Sequence, residues 1–250
     1  MSIVFVHVPK TAGMALKEAL THMPATTRIQ FKGYNFDSQA YPFSYRIIER
    51  SVRRLYTIPA LSNLAEQLWT TSILNHTPPC IFGHINMKCY SVPTTDGWKP
   101  HPSFRYIAFM RNPLTRAISH YYYNCASARA FPQDRNLRAF VSEFPTLVDF
   151  LLSEKYADFQ TRYMLYAEHF HFIGVTELMQ QSIHVLRHIE PFFRALPDIQ
   201  VINQGTDKNS HEIDSLSPTV TQRFQELHQK DYQRYTHAIQ QLNHTYFAYS

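Results

Sequence analysis

The stretch Ser2-Ile3-Val4-Phe5-Val6-His7-Val8-Pro9-Lys10-Thr11-Ala12-Gly13-Met14-Ala15-Leu16-Lys17-Glu18-Ala19-Leu20 changes character twice. Ile3 to Val8 is a short apolar run rich in β-branched residues, the pattern of a strand buried on both faces. Pro9 to Gly13 breaks it, and Met14 to Leu20 then has helical composition. Strand, tight loop and helix in that order open a parallel α/β sheet. The same order recurs downstream. Cys80-Ile81-Phe82 reads as a second buried strand ending at Gly83-His84. Phe104 to Met110 is a third, stopped by Arg111-Asn112-Pro113. Asn112 as N-cap and Pro113 at the first helical position start a helix expected to run through Tyr123.

Further helices are expected at Leu61–Trp69, Leu147–Leu152, Ala157–Tyr166 and Leu178–Ile189. Strands are expected at Phe170–Val175 and, briefly, at Ile199–Ile202. Ser217-Pro218 opens a closing helix that turns Val220, Phe224, Leu227 and Tyr235 inward. No repeat, low-complexity tract or linker divides residues 1–250, so a single domain is expected, with a mainly parallel central sheet flanked by helices.

Glycine is scarce. Six among 250 residues, no two closer than fourteen positions, exclude the G-x-G-x-x-G dinucleotide fingerprint and the G-x-x-x-x-G-K-[ST] loop. A phosphate held here is held with at most one glycine per loop.

The net charge of +5 is unevenly spread. Up to Arg138 there are 16 Lys and Arg against 6 Asp and Glu; from Ala139 onward the numbers are 8 and 13. Arginine outnumbers lysine sixteen to eight, which suits forked recognition of phosphate, sulfate or carboxylate. An ordinary solubilising surface would give the same asymmetry. Cys80, Cys89 and Cys125 contain no C-x-x-C pair and suit a reduced compartment. With no basic leader and no apolar run of membrane length, a cytoplasmic protein is expected.

The chemistry begins at Lys10-Thr11-Ala12-Gly13. A loop that opens a helix directly after a parallel strand aims free backbone N–H groups and the positive helix end at one point. Lys10 adds a full charge and Thr11 a hydroxyl, while Gly13 permits close approach or a positive φ. A plain turn with an exposed lysine is the alternative. The second candidate is Arg111, at the carboxyl end of a strand, where open α/β sheets bind ligands. Positions 112, 115, 116 and 119 share one helix face, so Arg111 and Ser119 can converge on one anion. Alternatively, Arg111 caps local carbonyls.

Two of these segments resemble a known family. His7-Val8-Pro9-Lys10-Thr11-Ala12-Gly13 is similar to the 5′-phosphosulfate loop, H-x-P-K-T-A-G-T-S, of sulfotransferases related to heparan sulfate 2-O-sulfotransferase. Met14 and Ala15 stand where that loop has hydroxyl residues. Arg111-Asn112-Pro113-Leu114-Thr115-Arg116-Ala117-Ile118-Ser119-His120-Tyr121 is similar to its 3′-phosphate motif, R-[DN]-P-x-x-R-x-x-S-x-[YF]. The resemblance implies a P-loop-like three-layer fold and 3′-phosphoadenosine-5′-phosphosulfate as sulfuryl donor. The backbone of Thr11, Ala12, Gly13, Met14 and Ala15 would cradle the 5′-phosphate, and Lys10 would act at the phosphate–sulfate bridge. Arg111 and Ser119 would hold the 3′-phosphate.

Sulfuryl transfer to a hydroxyl needs a base, and histidine titrates in the right range. His84 follows a buried strand and a glycine at the ligand edge of the sheet; a structural histidine bonding a carbonyl is the alternative. The family carries H-G-H there with the second histidine as base. Phe82 replaces the first. Gln160-Thr161-Arg162-Tyr163 and Ile173-Gly174-Val175-Thr176-Glu177 also resemble family stretches. Gln204–Ser210 falls where relatives have a cofactor-covering loop, from which Lys208 could reach a phosphate. The acceptor is expected to be a hydroxyl, on a carbohydrate, recognised by the variable segments 25–75 and 85–103. No metal, nucleic-acid or membrane partner is expected. His184 and His188, four apart on one helix, lack the supporting ligands of a metal site. Two other classes remain open: a non-catalytic nucleotide-binding relative, and a kinase, which would need a Walker lysine and a magnesium carboxylate.

Overall fold

β1 (Ser2–Val6) is the axis of the sheet, and a computed structural model describes residues 2–24, 29–32, 80–83, 91–94, 97–164, 167–199 and 206–249. Ile3 to Val6 are fully buried, as the unbroken apolar run requires of a central parallel strand. β2 (Ile29–Lys32), β3 (Cys80–Gly83), β6 (Phe104–Met110) and β7 (Phe172–Val175) complete a sheet of order β2-β3-β1-β6-β7. β1 runs parallel to β3 with Ile3 opposite Cys80, and parallel to β6 with Val6 opposite Ala108. β2 runs parallel to β3. The mainly parallel α/β architecture expected from the sequence is the one observed.

The contacts divide the chain into two compact units, Met1–His7, Met23–Ala108 and Met164–Phe172 in one, Val8–His22, Phe109–Tyr163 and Ile173–Ser250 in the other. The first holds β1, β2, β3 and residues 104–108 of β6. Phe82 is buried there, its ring 5.0 Å from that of Phe5 and stacked 5.6 Å from His7. It also holds a short antiparallel pair, β4 (Ser91–Thr94) and β5 (Gly97–Pro100), inside the segment 85–103 that showed no readable motif. β2 was equally missed; its only signal is the alternation Ile29-Gln30-Phe31-Lys32, one strand long. His101 leads into β6: its N–H donates to the Tyr106 hydroxyl at 3.1 Å and its ring accepts from the Ser103 N–H at 3.0 Å.

The second unit is mainly helical and also holds the end of β6 and residues 173–175 of β7. α1 (Gly13–Thr21) is followed by α2 (Pro113–Ala130), which the Asn112 side chain caps by accepting from the N–H groups of Leu114 and Thr115. The helix passes the expected end at Tyr123 and stops at Phe131, because Ala126, Ser127, Ala128 and Ala130 carry nothing that would break it. α3 (Arg135–Glu143) and α4 (Leu147–Leu151) start at the capping side chains of Asp134 and Thr146. Phe140, Phe144, Phe150 and Leu151 from this pair pack on Leu114, Ala117, Ile118 and Tyr121 of α2. The rings of Phe140 and Phe150 lie 5.4 Å apart. α5 (Phe159–Tyr163) and α6 (Met179–Ile189) follow. Along α6 the rings of His184 and His188 pack 4.4 Å apart, with Tyr246 and Tyr249 against them.

Two expectations at the carboxyl-terminal end are corrected. Residues 206–210 are not loop: α7 (Thr206–Ser215) begins at Thr206. The closing helix is two, α8 (Pro218–Leu227) and α9 (Gln229–Tyr249), broken at His228. The break has a polar cause. The Asp158 carboxylate accepts the N–H groups of Lys230 and Asp231 at 3.0 and 3.2 Å, starting a new helix there. In return Asp231 in α9 accepts the N–H groups of Gln160 and Thr161 at the start of α5, at 3.0 and 2.7 Å. Each aspartate caps the other's helix. The helix expected at Leu61–Trp69 and residues 200–202 of the expected last strand lie outside the described residues.

Candidate anion site

Everything in this site belongs to the helical unit. Lys10 and Ala12 sit at φ 71° and 59°, so the loop takes two left-handed residues in three. The sequence pointed to Gly13 for that role, but Gly13 is already the first residue of α1. Positive φ at non-glycine residues carries a cost of about 1–3 kcal/mol and persists where neighbouring contacts enforce it. One such contact is the Thr11 hydroxyl, fully buried and donating to the Val8 carbonyl at 2.8 Å. The hydroxyl therefore braces the loop rather than facing outward to an anion, which corrects the side-chain role expected of it; the Thr11 backbone is unaffected.

α1 has no side-chain cap and no acidic residue in its first turn. Its first hydrogen bond runs from the Leu16 N–H to the Ala12 carbonyl at 3.0 Å. The N–H groups of Gly13, Met14 and Ala15 are left without helical partners, at the positive end of the helix. Met14, in that first turn, is 78% exposed.

Arg111 comes to the same loop. Its Nη1 donates to the Lys10 carbonyl at 3.5 Å, across 101 positions of sequence. Burial and the neighbouring Arg111 charge push the Lys10 ammonium down from 10.5 to about 8, and burial lowers Arg111 as well. Two cations on one loop, the charge of Arg111 lowering the pKa of Lys10, mark a focus of positive potential. The Lys10 ammonium lies 3.0 Å from the centroid of the Tyr123 ring on α2, a cation–π contact. Ser119, half-buried, lies one helical turn before Tyr123 on the same face, which places it on the side of α2 that carries Lys10.

The backbone around Arg111 is unusually well held. The Gln160 side chain accepts from the Arg111 N–H at 2.9 Å and donates to the Arg111 carbonyl at 2.7 Å. The next N–H, that of Asn112, donates to Glu177 at 2.9 Å, and the same carboxylate lies 4.0 Å from the Arg111 Nε. Thr115 and Tyr235 also bond to Glu177. Arg116, from the same motif, goes elsewhere. It is fully buried, donates to the His120 Nδ1 at 3.1 Å and lies over the Phe159 ring at 4.3 Å. Burial and the Arg116 charge push His120 down to about 3. A neutral imidazole with Nδ1 already engaged leaves His120 unsuited to act as a base.

Of the residues singled out in the sequence, Lys10 to Ala15 and Arg111 are brought together, with Ser119 on the adjoining helix face. Lys208 lies on α7, and His84 lies outside the described residues. Tyr123, Gln160 and Glu177 were not picked out individually as site residues. Tyr123 had a signal, since it follows Ser119 at i+4; Gln160 and Glu177 lie in stretches that resemble the family, but their contacts span 49 and 65 positions and leave no local pattern. Among the described residues no group of three metal-ligating side chains occurs, and no helix is long and apolar enough to cross a membrane.

No family model and no curated protein matches the sequence. Among solved structures, the chain is similar to the crystal structure of mouse sulfotransferase SULT7A1 complexed with PAP. That match has 16% identity over 90% of this chain and 82% of that one, at a TM-score of 0.39.

Proposed function

We propose that this protein transfers a sulfuryl group from 3′-phosphoadenosine-5′-phosphosulfate to an acceptor hydroxyl, on a carbohydrate. The observation that carries the proposal is the meeting of Lys10 and Arg111, from two separate strand–helix loops, beside an uncapped helix N-terminus. A donor phosphorylated at two positions needs two such anion-binding loops; a singly phosphorylated ligand needs one. The chemistry of these groups fits it: three free N–H groups and an ammonium for the 5′ end, a guanidinium and a hydroxyl for the 3′ end.

The donor supplies the sulfuryl group. His84, the base implied by the resemblance, takes the acceptor proton as the acceptor oxygen bonds to sulfur. The bond between sulfur and the 5′-phosphate oxygen breaks, and its electron pair stays on that oxygen. Lys10 stabilises the charge that develops there. With a pKa near 8 it is charged at neutral pH and still able to give up a proton.

One observation favours a second reading, a nucleotide-binding relative without transfer activity. Phe82, standing where the family has the first histidine of H-G-H, is core packing between Phe5 and His7. Calorimetry with 3′,5′-adenosine bisphosphate tests what both readings share, and no binding at millimolar ligand ends both. Transfer of labelled sulfate across sugars, phenols and lipids separates them. His84→Ala should abolish transfer and leave bisphosphate binding intact; retained transfer removes His84 from the reaction.

A further inference from the structure

We infer that Gln160 and Asp231 are positioning residues for Arg111, and that they give the site its preference for a 3′-phosphate. The inference rests on the reading of Arg111 as the 3′-phosphate ligand and goes further, to what aims it. A guanidinium fork recognises an anion only as well as its backbone is fixed, because a small tilt at Cα is carried along the whole side chain to the fork. Arg111 sits in a loop between β6 and α2, where strand and helix hydrogen bonds do not hold it.

The Gln160 carboxamide takes their place. It bonds to both the N–H and the carbonyl of Arg111, so one planar group grips the residue on either side of its Cα. A carboxamide offers a donor and an acceptor in one such plane, where an ionised carboxylate only accepts. Gln160 is itself fully buried, and its own N–H is bound by the Asp231 carboxylate at 3.0 Å. Asp231 is fully buried too. It stays anionic there because the N–H groups of Gln160 and Thr161 hold its charge, with His228 beside it; these contacts outweigh burial and lower its pKa. Asp158 fixes the Asp231 N–H at 3.2 Å. Aspartate, helix start, carboxamide and arginine thus form one chain of buried and half-buried hydrogen bonds reaching from α9 to the anion site. The links among Asp231, Gln160 and the Arg111 backbone lie outside the 5′ loop of Lys10 to Ala15, which the chain reaches only at its end, through the 3.5 Å bond from the Arg111 Nη1 to the Lys10 carbonyl.

That separation supplies the test. The ratio of affinities for 3′,5′-adenosine bisphosphate and adenosine 5′-monophosphate is measured by calorimetry for the wild type, Gln160→Glu, Gln160→Met and Asp231→Asn. Gln160→Glu keeps the acceptor for the Arg111 N–H and loses the donor. The expected result is that the preference for the bisphosphate falls about tenfold in the Gln160 variants, by less in Asp231→Asn, with 5′-monophosphate affinity unchanged. An equal loss for both nucleotides means a merely structural role and overturns the inference, as does an undiminished preference. If the wild type itself shows no preference, the 3′-phosphate reading fails first and the inference with it. Hydrogen exchange of the Arg111 amide in the wild type needs no variant to fold. It should be slow without ligand, and fast exchange overturns the inference.

Discussion

Raising the pH should weaken nucleotide binding through Lys10 before any other group in the site responds. Burial and Arg111 bring the Lys10 ammonium down from 10.5 to about 8, so it is charged below that pH and neutral above it. A bound anion favours the charged form and raises the pKa. Binding therefore takes up a proton wherever free Lys10 is neutral and bound Lys10 is not, and affinity falls as pH rises through that window. Both phosphates of 3′,5′-adenosine bisphosphate are fully ionised above pH 7, since their second pKa is about 6. A hydrogen bond to a charged group contributes about 1.5–3 kcal/mol, which moves the bound pKa up by about one to two units. Affinity should hold steady to about pH 7.5 and be about tenfold weaker by pH 9.5. Calorimetry in two buffers of different ionisation enthalpy measures both the affinity and the proton taken up. Lys10→Met should bind at the weak level and show no pH dependence between 7 and 9.5. A flat wild-type profile over that range refutes the reasoning, and so does the same decline in Lys10→Met.

Arg111→Lys keeps the charge and loses the fork; bisphosphate affinity should fall about 10- to 100-fold, with 5′-monophosphate affinity nearly unchanged by the same calorimetry. Gly174→Ala places a Cβ 2.6 Å from the Phe109 ring, and this overpacking should cost about 1–3 kcal/mol in urea denaturation without altering nucleotide selectivity. Asp158→Ala removes the cap of α9 from a residue at φ 48° and should lower stability by about 1–2 kcal/mol in the same assay. Asp158→Asn retains an acceptor and tolerates the left-handed backbone, so it should cost less than half as much.

The core strands were legible because a central parallel strand leaves a signature that needs no partner to read. Ile3 to Val6, Cys80 to Phe82 and Phe104 to Met110 are unbroken apolar runs, each ended by a turn former. The Asn112-Pro113 start of α2 was legible for a similar reason: the cap bonds lie within three residues. β2, β4 and β5 were not, since Ile29–Lys32, Ser91–Thr94 and Gly97–Pro100 mix in polar residues, proline or glycine and contain no apolar run. The run from Ser217 to Tyr235 keeps a helical period across His228, so periodicity alone joins α8 to α9. Only the Asp158 carboxylate, some seventy positions away, separates them.

The candidate site divides along the same line. Residue order alone puts Lys10 and Arg111 each at the exit of a buried strand, and parallel strands leave their carboxyl ends at one edge. Two anion-binding loops near each other follow from that geometry. Where each polar group points does not follow. Thr11 looked outward in sequence and donates inward; Arg116, three residues before Ser119 in the same motif, is a buried cation over Phe159. Gln160, Glu177 and Asp231 entered the site by contacts spanning 49 to 71 positions. Local pattern records which backbone groups will be free at a strand end or a helix start. Which distant side chain arrives to hold them depends on how whole helices pack, and no short stretch of sequence carries that information.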